Sequence, residues 1–388
     1  MATVDEHVAH VASLVALPVT TETVAIDDAL GRVTADAVHS PVDLPLFRNS
    51  QMDGFAVRSA DLPGTLPIAG EVSARPSDPA ALLPGTAVRI MTGAVVPEGA
   101  DAVVPVEDTV VDGERVTIER VRTPGEYVRD RGSDVRQGDE LLPAGLRLAS
   151  RHLAVLAAAG ISTVEVRAVT KIAIITTGSE LIAPGATPVL GQVFDSNGTA
   201  LAAAVRAAGA VVASRVHVGD DNAAMLQALR DATAAADLII TSGGISMGDY
   251  EVVRETLEPL GARVGTVAMQ PGGPQATAVF EGVPVLCFPG NPVSTQLSFE
   301  VFLAPLLRAA AGLPPALHET RHLVADVTSV AGKRQFLRGR AGDGGTVALV
   351  AGPSSHLVAG LAASDVLVVV PEAVTSLRAG DSVEVWHL

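Results

Sequence analysis

Three apolar runs that each lead into a glycine-containing loop place the strongest constraint on what this chain can fold into. The runs cover residues 171–180 (KIAIITTGSE), 236–249 (ADLIITSGGISMGD) and 283–294 (VPVLCFPGNPVS). In a parallel α/β sheet such loops follow the carboxyl ends of strands, where ligands bind in the crevice at a topological switch point. Glycine lets the backbone approach a ligand closely, and the start of the next helix offers free N–H groups to an anion. The sequence therefore predicts a binding site for a phosphorylated or oxyanion ligand.

The remainder of this segment alternates between helix and strand patterns. Helices are predicted at residues 199–208 and 222–235, and strands at residues 211–218 and 237–241. Alternation of this kind is typical of a doubly wound α/β domain.

The preceding stretch, residues 40–145, has a different pattern of residues. Short β-like runs at residues 87–91, 102–106 and 115–118 are separated by Pro, Gly and Asp turns, which indicates a mostly β module. We expect this module to be inserted between two helices. The first ends at Pro18, and the second covers residues 150–160 with Ser150 as its cap.

The tail after Pro315 returns to short strand patterns, at residues 346–350, 366–370 and 382–386, which predict a small β-barrel or sandwich. Residues 318–322 (HETRH) match the zincin string, but that chemistry needs both histidines on one face of a helix. Because the string runs into an alternating, strand-like segment, a metalloprotease is not favoured.

A second short match, residues 244–248 (GISMG), has the form of a nucleophile elbow with Ser246 as the nucleophile. An elbow needs the strand to run directly into the first glycine. Here Ser242 and Gly243 intervene, so a backbone cradle is favoured over a serine hydrolase.

Composition narrows the classes of partner. A chain of 388 residues exceeds a single ordinary core, so two to four domains are expected. The net charge of −16, without a dense Lys/Arg cluster, argues against nucleic acid and anionic membranes as partners. The single cysteine, Cys287, excludes a disulfide within the chain and is predicted to be a small buried hydrophobe. With neither a secretory h-region nor an apolar run long enough to span a bilayer, the cytoplasm is the expected compartment.

Charged side chains at the loops add to the predicted site. Glu180, Asp220 and Asp249 each lie at or near a loop of the α/β segment. Several carboxylates around a phosphate site suggest Mg²⁺ as a bridge, although helix capping explains any one of them equally well. Arg129, Arg131 and Arg338 are candidate anion clamps, with solvated surface positions as the alternative.

Six motifs, in their order and spacing, together resemble the molybdopterin molybdenumtransferase family, which includes MoeA and the E domain of gephyrin. The likeness extends over nearly the whole chain. The motifs are NSQMDGFAVR (49–58), RIMTGAVVPEGADAVV (89–104), RDRGSD (129–134), TTGSEL (176–181), SGGISMGDYE (242–251) and PGNPVS (289–294).

The resemblance implies an elongated homodimer of four-domain subunits. The implied domains are a helical and linker domain (1–40 and 142–168), an inserted β domain (41–141), an α/β domain similar to molybdopterin adenylyltransferases (169–313) and a β-barrel (314–388). The site would lie where the β module of one subunit faces the α/β domain of the other.

The implied reaction is the insertion of molybdenum from molybdate into adenylylated molybdopterin, with Mg²⁺-dependent release of AMP. A molybdopterin adenylyltransferase is a further expected partner. Two alternatives stay open: an adenylyltransferase-like enzyme, and a non-catalytic dimeric scaffold of the gephyrin E-domain type.

Matching the motifs residue by residue carries the family's functional positions onto this chain. The implied catalytic set is Asp53, Thr92, Asp134, Glu180, Asp220 and Asp249, of which Glu180, Asp220 and Asp249 would also bind the metal. The implied ligand-binding set is Arg129, Gly178, Ser179, Ser242, Gly243, Gly244, Pro289, Gly290, Asn291, Pro292, Ser294, Arg338 and Ser355. Within it, Arg338 and Ser355 match positions that would hold molybdate.

One stretch departs from the family pattern. Members often carry lysines where residues 265–275 (GTVAMQPGGPQ) place Thr266, Gln270 and Gly273. Loss of these charges weakens the electrostatic attraction for an oxyanion. The nearby candidates to replace them are Arg263, Lys333 or Arg334. The affinity for molybdate, the preference for molybdenum over tungsten and the role as main enzyme or diverged paralogue stay open.

Overall fold

The computed structural model describes residues 1–15, 17, 20–245 and 251–388. Its internal contacts divide the chain into two compact units, one formed by Thr21–Val166 and the other by Met1–Thr20 with Arg167–Leu388. The chain begins with helix α1 (Val4–Leu14), which is capped by Thr3. The predicted helix stop at Pro18 lies outside the described residues.

The unit Thr21–Val166 is built on a six-stranded sheet with the order β7-β4-β6-β5-β9-β8. Six further strands of this part of the chain lie outside that sheet. In chain order the strands are β1 (Thr21–Ala25), β2 (Val38–His39), β3 (Asn49–Ser50), β4 (Gly54–Val57), β5 (Gly64–Val72), β6 (Ala87–Ile90), β7 (Ala102–Pro105), β8 (Val110–Asp112), β9 (Arg115–Ile118), β10 (Val128–Arg129), β11 (Glu140–Leu142) and β12 (Thr163–Arg167). Alternate residues of β4 pack into two different cores, Phe55 into one and Ala56 into the other. The three strands predicted from the sequence in this stretch are confirmed to within one residue.

The two ends of this unit pack together. Strand β1 pairs with β12 and β2 pairs with β11, while helix α2 (Ser150–Ala158) buries Leu156 in the core that these ends share. The prediction of Ser150 as the cap of α2 is wrong. The cap is Ala149, whose own N–H donates to Nδ1 of His152 at 3.0 Å, and Ser150 is already the first residue of the helix.

The second unit contains a mixed sheet with the order β16-β13-β17-β21-β20-β18. Its strands, with three short ones beside them, are β13 (Lys171–Thr177), β14 (Leu181–Ile182), β15 (Val193–Phe194), β16 (Val211–Val218), β17 (Leu238–Ser242), β18 (Arg263–Thr266), β19 (Met269–Gln270), β20 (Pro274–Phe280) and β21 (Val283–Phe288). The first four strands of the sheet are parallel, β20 is antiparallel to β21, and β18 is antiparallel to β20. The chain passes from β13 to β16 on one side and then to β17 on the other. This reversal creates a switch point between β13 and β17.

Helices cover both faces of this sheet, which confirms the doubly wound α/β fold. They are α3 (Ser196–Ala207), α4 (Asn222–Thr233), α5 (Val252–Leu257), α6 (Pro292–Ser298), a π-helical turn (Phe299–Leu303) and α7 (Ala304–Ala310). Helices α1, α3, α6 and α7 pack on one face and α4 and α5 on the other. Cys287 lies fully buried on the second face, and burial raises the pKa of its thiol to about 12. It is the packing residue that the sequence predicts.

The carboxyl-terminal residues form a closed five-stranded barrel in which β24-β25-β22-β28-β26 pair in order and β26 returns to β24. The elements are β22 (His318–Leu323), β23 (Val327–Thr328), β24 (Arg334–Ala341), β25 (Thr346–Leu349), α8 (Val358–Ala362), β26 (Val366–Val370), β27 (Ser376–Leu377) and β28 (Ser382–His387). His318 and His322 lie on strand β22, so the helix that zincin chemistry requires is absent and that interpretation is excluded. None of the helices formed by the described residues has both the length and the apolar character needed to cross a membrane.

Candidate active site

A cleft of about 1080 Å³ opens at the carboxyl edge of β13, β17 and β21. All three glycine loops line it, through Gly178, Gly243 and Gly290. The second and third loops touch, because a Cβ added at Gly290 would lie 3.3 Å from Cα of Gly243. The cleft thus sits at the switch point, where an α/β sheet binds its ligands.

The loop that follows β17 crosses the end of β13 at Gly243, and this close crossing requires a glycine. Its φ is +98°, and a Cβ would lie 2.7 Å from Oγ1 and 2.8 Å from the carbonyl oxygen of Thr177. The N–H of Gly243 donates to the carbonyl of Phe288 at 3.1 Å, which ties this loop to β21. Only glycine combines that φ with that approach.

Two cleft residues that the sequence analysis missed, Asp195 and Asn197, lie at the start of α3. Asn197 Nδ2 donates to Oγ of Ser242 at 2.9 Å and to the carbonyl of Gly290 at 2.7 Å. Asp195 caps α3 and accepts a hydrogen bond from Oγ1 of Thr176 at 2.9 Å. Together they hold the ends of β13, β17 and β21. The available signal was the string FDSNG at residues 194–198, an aspartate cap directly before a helix.

The predicted carboxylates Glu180 and Asp220 both line the cleft. Asp220 is fixed by Ser179, since the N–H of each residue donates to the side chain of the other at 3.1 Å. Ser179 itself lies outside the cleft lining. Asp249 lies outside the described residues, as does Ser246.

The donor set suits Mg²⁺. Within the described ranges no three metal-ligating side chains cluster. However, Mg²⁺ is commonly held by one or two carboxylates together with substrate phosphates. Glu180 and Asp220 on one cleft wall supply two carboxylates, so the residues present fit the ion.

The opposite wall joins the PGNPVS loop to residues 353–356. Its predicted members that line the cleft are Pro289, Asn291, Pro292, Ser294 and Ser355. The N–H of Val293 donates to the carbonyl of Ser355 at 3.1 Å. Thr295 Oγ1 donates to the carbonyl of Pro289 at 2.6 Å. The loop is therefore braced from both sides. Gly244 and Ser242 complete the predicted residues that the structure brings to the cleft.

Arg338 lies behind this wall and does not line the cleft. It is fully buried on β24, where one terminal nitrogen of its guanidinium donates to the carbonyls of Gly352 and, at 3.0 Å, of Ser354. Its Nε and its other terminal nitrogen have no hydrogen-bond partner among the described residues. Burial lowers the pKa of this group. Arg338 therefore fixes the backbone that carries Ser355.

The remaining predicted residues belong to the unit Thr21–Val166. Asp53 Oδ1 accepts hydrogen bonds from the N–H of Thr92 at 2.6 Å and from its Oγ1 at 2.7 Å, and these lower the pKa of Asp53. Arg129 pairs across the ladder with Asn49 and donates to its Oδ1 at 3.4 Å. Asp134 lies exposed on another loop of the same unit. The structure thus places Asp53 and Thr92 in direct contact. Arg129 lies on β10, which pairs with β3, the strand just before Asp53 in the sequence.

The three positions expected to carry lysines, Thr266, Gln270 and Gly273, all line the cleft. Of the cations proposed to replace them, only Lys333 lines it. Arg334 forms a bidentate pair with Asp5, at 2.8 and 2.9 Å, and Arg263 lines a separate cavity of about 190 Å³.

Comparisons with known proteins agree along the whole chain. The sequence matches three family models: the MoeA N-terminal region (domain I and II) at residues 2–160, a probable molybdopterin binding domain at residues 173–309, and the MoeA C-terminal region (domain IV) at residues 321–388. It is 42% identical over 383 residues to molybdopterin molybdenumtransferase 2 of Mycobacterium tuberculosis, covering 94% of this chain and 95% of the relative.

A relative from Haemophilus influenzae, also named molybdopterin molybdenumtransferase, is 30% identical over 398 residues and covers 99% of this chain and 98% of its own. The crystal structure of a molybdopterin biosynthesis MoeA protein from Pyrococcus horikosii superposes with a TM-score of 0.87 at 32% identity, covering 100% of this chain and 99% of that one. The chain therefore belongs to the molybdopterin molybdenumtransferase (MoeA) family, a family of transferases in molybdenum cofactor biosynthesis.

Proposed function

We propose that this protein inserts molybdenum from molybdate into adenylylated molybdopterin, with Mg²⁺-dependent release of AMP, and so forms the molybdenum cofactor. The observation that carries the proposal is the convergence of three glycine loops in one cleft. These loops lie within the residues that match a probable molybdopterin binding domain. The names of the relatives support the transfer of molybdenum; adenylylation, Mg²⁺ and AMP release are part of the proposal.

The walls of the cleft offer an apolar surface for a flat ring and open backbone for a phosphate group. Val193 and Phe194 line the cleft and are 52% and 46% exposed, which offers an apolar surface to a flat ring. The glycine loops bring backbone close to the ligand without side-chain obstruction. Positioning of this kind is what metal insertion into two adjacent sulfurs requires.

Glu180 and Asp220, with Asp249 as the third residue of the proposed set, would hold the Mg²⁺ ion. When bound, this ion neutralises charge on the phosphate that leaves as AMP. Asp220 is preoriented for that role by its two hydrogen bonds to Ser179. Asp53, Thr92, Asp134 and Arg129 complete the proposed set on the strength of their motif positions.

Arg338 and Ser355 are the proposed molybdate residues. Ser355 lines the cleft, whereas Arg338 holds the backbone just before it. We assign Ser355 to direct contact and Arg338 to positioning. The proposal also includes a homodimer that acts in the cytoplasm.

The test combines purified protein with adenylylated molybdopterin, molybdate and Mg²⁺. We expect AMP, measured by chromatography, and a product that activates a cofactor-free molybdoenzyme. Production of an adenylylated pterin from ATP and molybdopterin, without molybdenum insertion, would instead support the adenylyltransferase alternative. A stable dimer with neither activity would support the scaffold alternative.

A further inference from the structure

The charge of the cleft is opposite to what an anionic ligand needs. Among its described lining residues are four carboxylates, those of Glu180, Asp195, Asp220 and Glu251. Against them the described lining offers one ammonium, that of Lys333, and no guanidinium. An oxyanion that enters this cleft therefore meets a single fixed positive side chain among the residues described.

The backbone on both sides of Lys333 is anchored. The N–H of Gly332 donates to the carbonyl of Glu372 at 2.9 Å, and the N–H of Arg334 donates to the carbonyl of Ala268 at 2.8 Å. Lys333 directly precedes β24, whose first two residues pair with Met269 and Gln270. Lys333 thus borders the same wall on which Thr266, Gln270 and Gly273 stand.

The side chain of Lys333 is half-buried and has no hydrogen bond or ion pair with any described residue. Its neighbour Arg334 is engaged away from the cleft by Asp5 and, at 3.0 Å, by Glu372. An ammonium without a protein partner is free to make a charge-assisted hydrogen bond to an anion. An anion in the cleft would provide that partner.

We propose that Lys333 is the principal cationic contact for a tetrahedral oxyanion in this cleft. That oxyanion is either molybdate or the phosphate of the adenylyl group. The identity of the anion rests on the proposed function, but the contact itself is independent of it. Lys333 would then supply, from the start of the barrel, the positive charge that the 265–275 stretch lacks.

The sequence provides a matched control, because it contains two lysines, Lys171 and Lys333. Lys171 is exposed at the amino end of β13, the end opposite to the cleft. The experiment compares Lys333→Gln, Lys333→Arg and Lys171→Gln by calorimetric titration with molybdate, AMP and inorganic phosphate. We expect Lys333→Gln to weaken binding of molybdate, AMP or both by about 10-fold or more, since it removes a charged hydrogen bond. Lys333→Arg should stay within about 3-fold of wild type, because the charge is kept, and Lys171→Gln should be unchanged.

A second measurement does not depend on any variant. An amine-acylating reagent followed by peptide mass spectrometry reports both lysines in the unmodified protein. We expect saturating anion to slow acylation of Lys333 and leave Lys171 unaffected. Comparing the protection given by molybdate with that given by AMP then shows which oxyanion contacts Lys333.

The proposal is overturned if wild type binds an anion while Lys333→Gln binds it within 2-fold and Lys333 is acylated at an unchanged rate. Anion protection of Lys333 in a protein that releases no AMP from adenylylated molybdopterin would support the contact and contradict the proposed function. AMP release that is unaffected by Lys333→Gln would support the function and contradict the contact.

Discussion

Arg338 is a buried charge whose surroundings are only partly suited to it. The side chain is fully buried, and it satisfies two carbonyls while two of its nitrogens have no partner among the residues the structure describes. Removing such a group loses the hydrogen bonds but also removes a desolvation cost, so the net effect on stability is small or even favourable. The functional effect should be larger, because residues 352–355 lose their anchor.

We predict that Arg338→Met changes the free energy of unfolding by less than about 2 kcal/mol and lowers AMP release by about 10-fold or more. Amide hydrogen exchange in residues 350–357 should become faster. The matched control is Arg340→Met on the same strand, since exposed Arg340 also donates to a carbonyl, that of Ala363 at 2.7 Å, but away from the cleft. Equal exchange rates in Arg338→Met and wild type would contradict the positioning role.

At the scale of the secondary-structure elements, the crossing of the β17 loop over β13 decides whether the cleft exists. A Cβ at Gly243 would clash with the backbone of Thr177, so Gly243→Ala must displace the loop. We expect a loss of about 2–4 kcal/mol in the free energy of unfolding, together with loss of AMP binding. Urea unfolding and calorimetric titration measure the two effects.

The control for this substitution is Gly261→Ala. Gly261 has a similar φ of +93° but no heavy atom within 4 Å of the added Cβ. Its cost should be only that of backbone strain, about 1 kcal/mol, with AMP binding intact. Equal effects of the two substitutions would show that backbone strain, rather than the crossing of the loops, explains why position 243 requires glycine.

The elements were predictable to the extent that their pattern is local. The strands at residues 211–218 and 366–370 carry their own local pattern, an alternation in the first and a short apolar run in the second, and both appear with the predicted bounds. The local pattern left a barrel and a sandwich both open, because closure depends on the pairing of β24 with β26. Only the family resemblance implied the barrel, which the structure confirms. Asn197 was missed for the same reason: its partners, Ser242 and Gly290, are distant in the sequence.

Helix α1 carries a pH-sensitive contact with the α/β core. The ring of His7 packs edge-on against Phe302 at a centroid distance of 4.6 Å. Burial, with smaller contributions from His10 and Arg263, lowers the pKa of His7 from 6.5 to about 4. Between these two values the unfolded chain binds a proton that the folded chain does not, so stability falls as pH drops through this window.

We predict that wild type loses about 1–2 kcal/mol of unfolding free energy from this group between pH 7 and pH 4.5, after allowance for solvent screening. His7→Gln should flatten the decline because glutamine does not titrate. His322→Gln, an exposed histidine on β22, is the control and should follow wild type. Urea unfolding at several pH values measures the slopes; identical slopes for His7→Gln and wild type would contradict the assignment.

For the molecule as a whole, the net charge of −16 opposes the binding of both anionic substrates of the proposed reaction. Molybdate and adenylylated pterin are anions, and the described cleft lining adds four carboxylates against one lysine. A field of this sign lowers the local concentration of anions and raises that of divalent cations. The protein should therefore depend on Mg²⁺ for binding as well as for chemistry.

We predict that chelating Mg²⁺ with EDTA lowers AMP release by about 10-fold or more and weakens AMP binding, and that added Mg²⁺ restores both. NaCl at matched ionic strength should not restore them, because screening alone does not bridge carboxylate and phosphate. The variants Glu180→Gln and Asp220→Asn should raise the Mg²⁺ concentration needed for half-maximal AMP release. Asp231→Asn is the control, since it removes the same charge from α4, outside the cleft lining. If Asp231→Asn shifts the Mg²⁺ requirement as much as Asp220→Asn does, the dependence reflects the overall field of the protein and Asp220 is not a metal ligand.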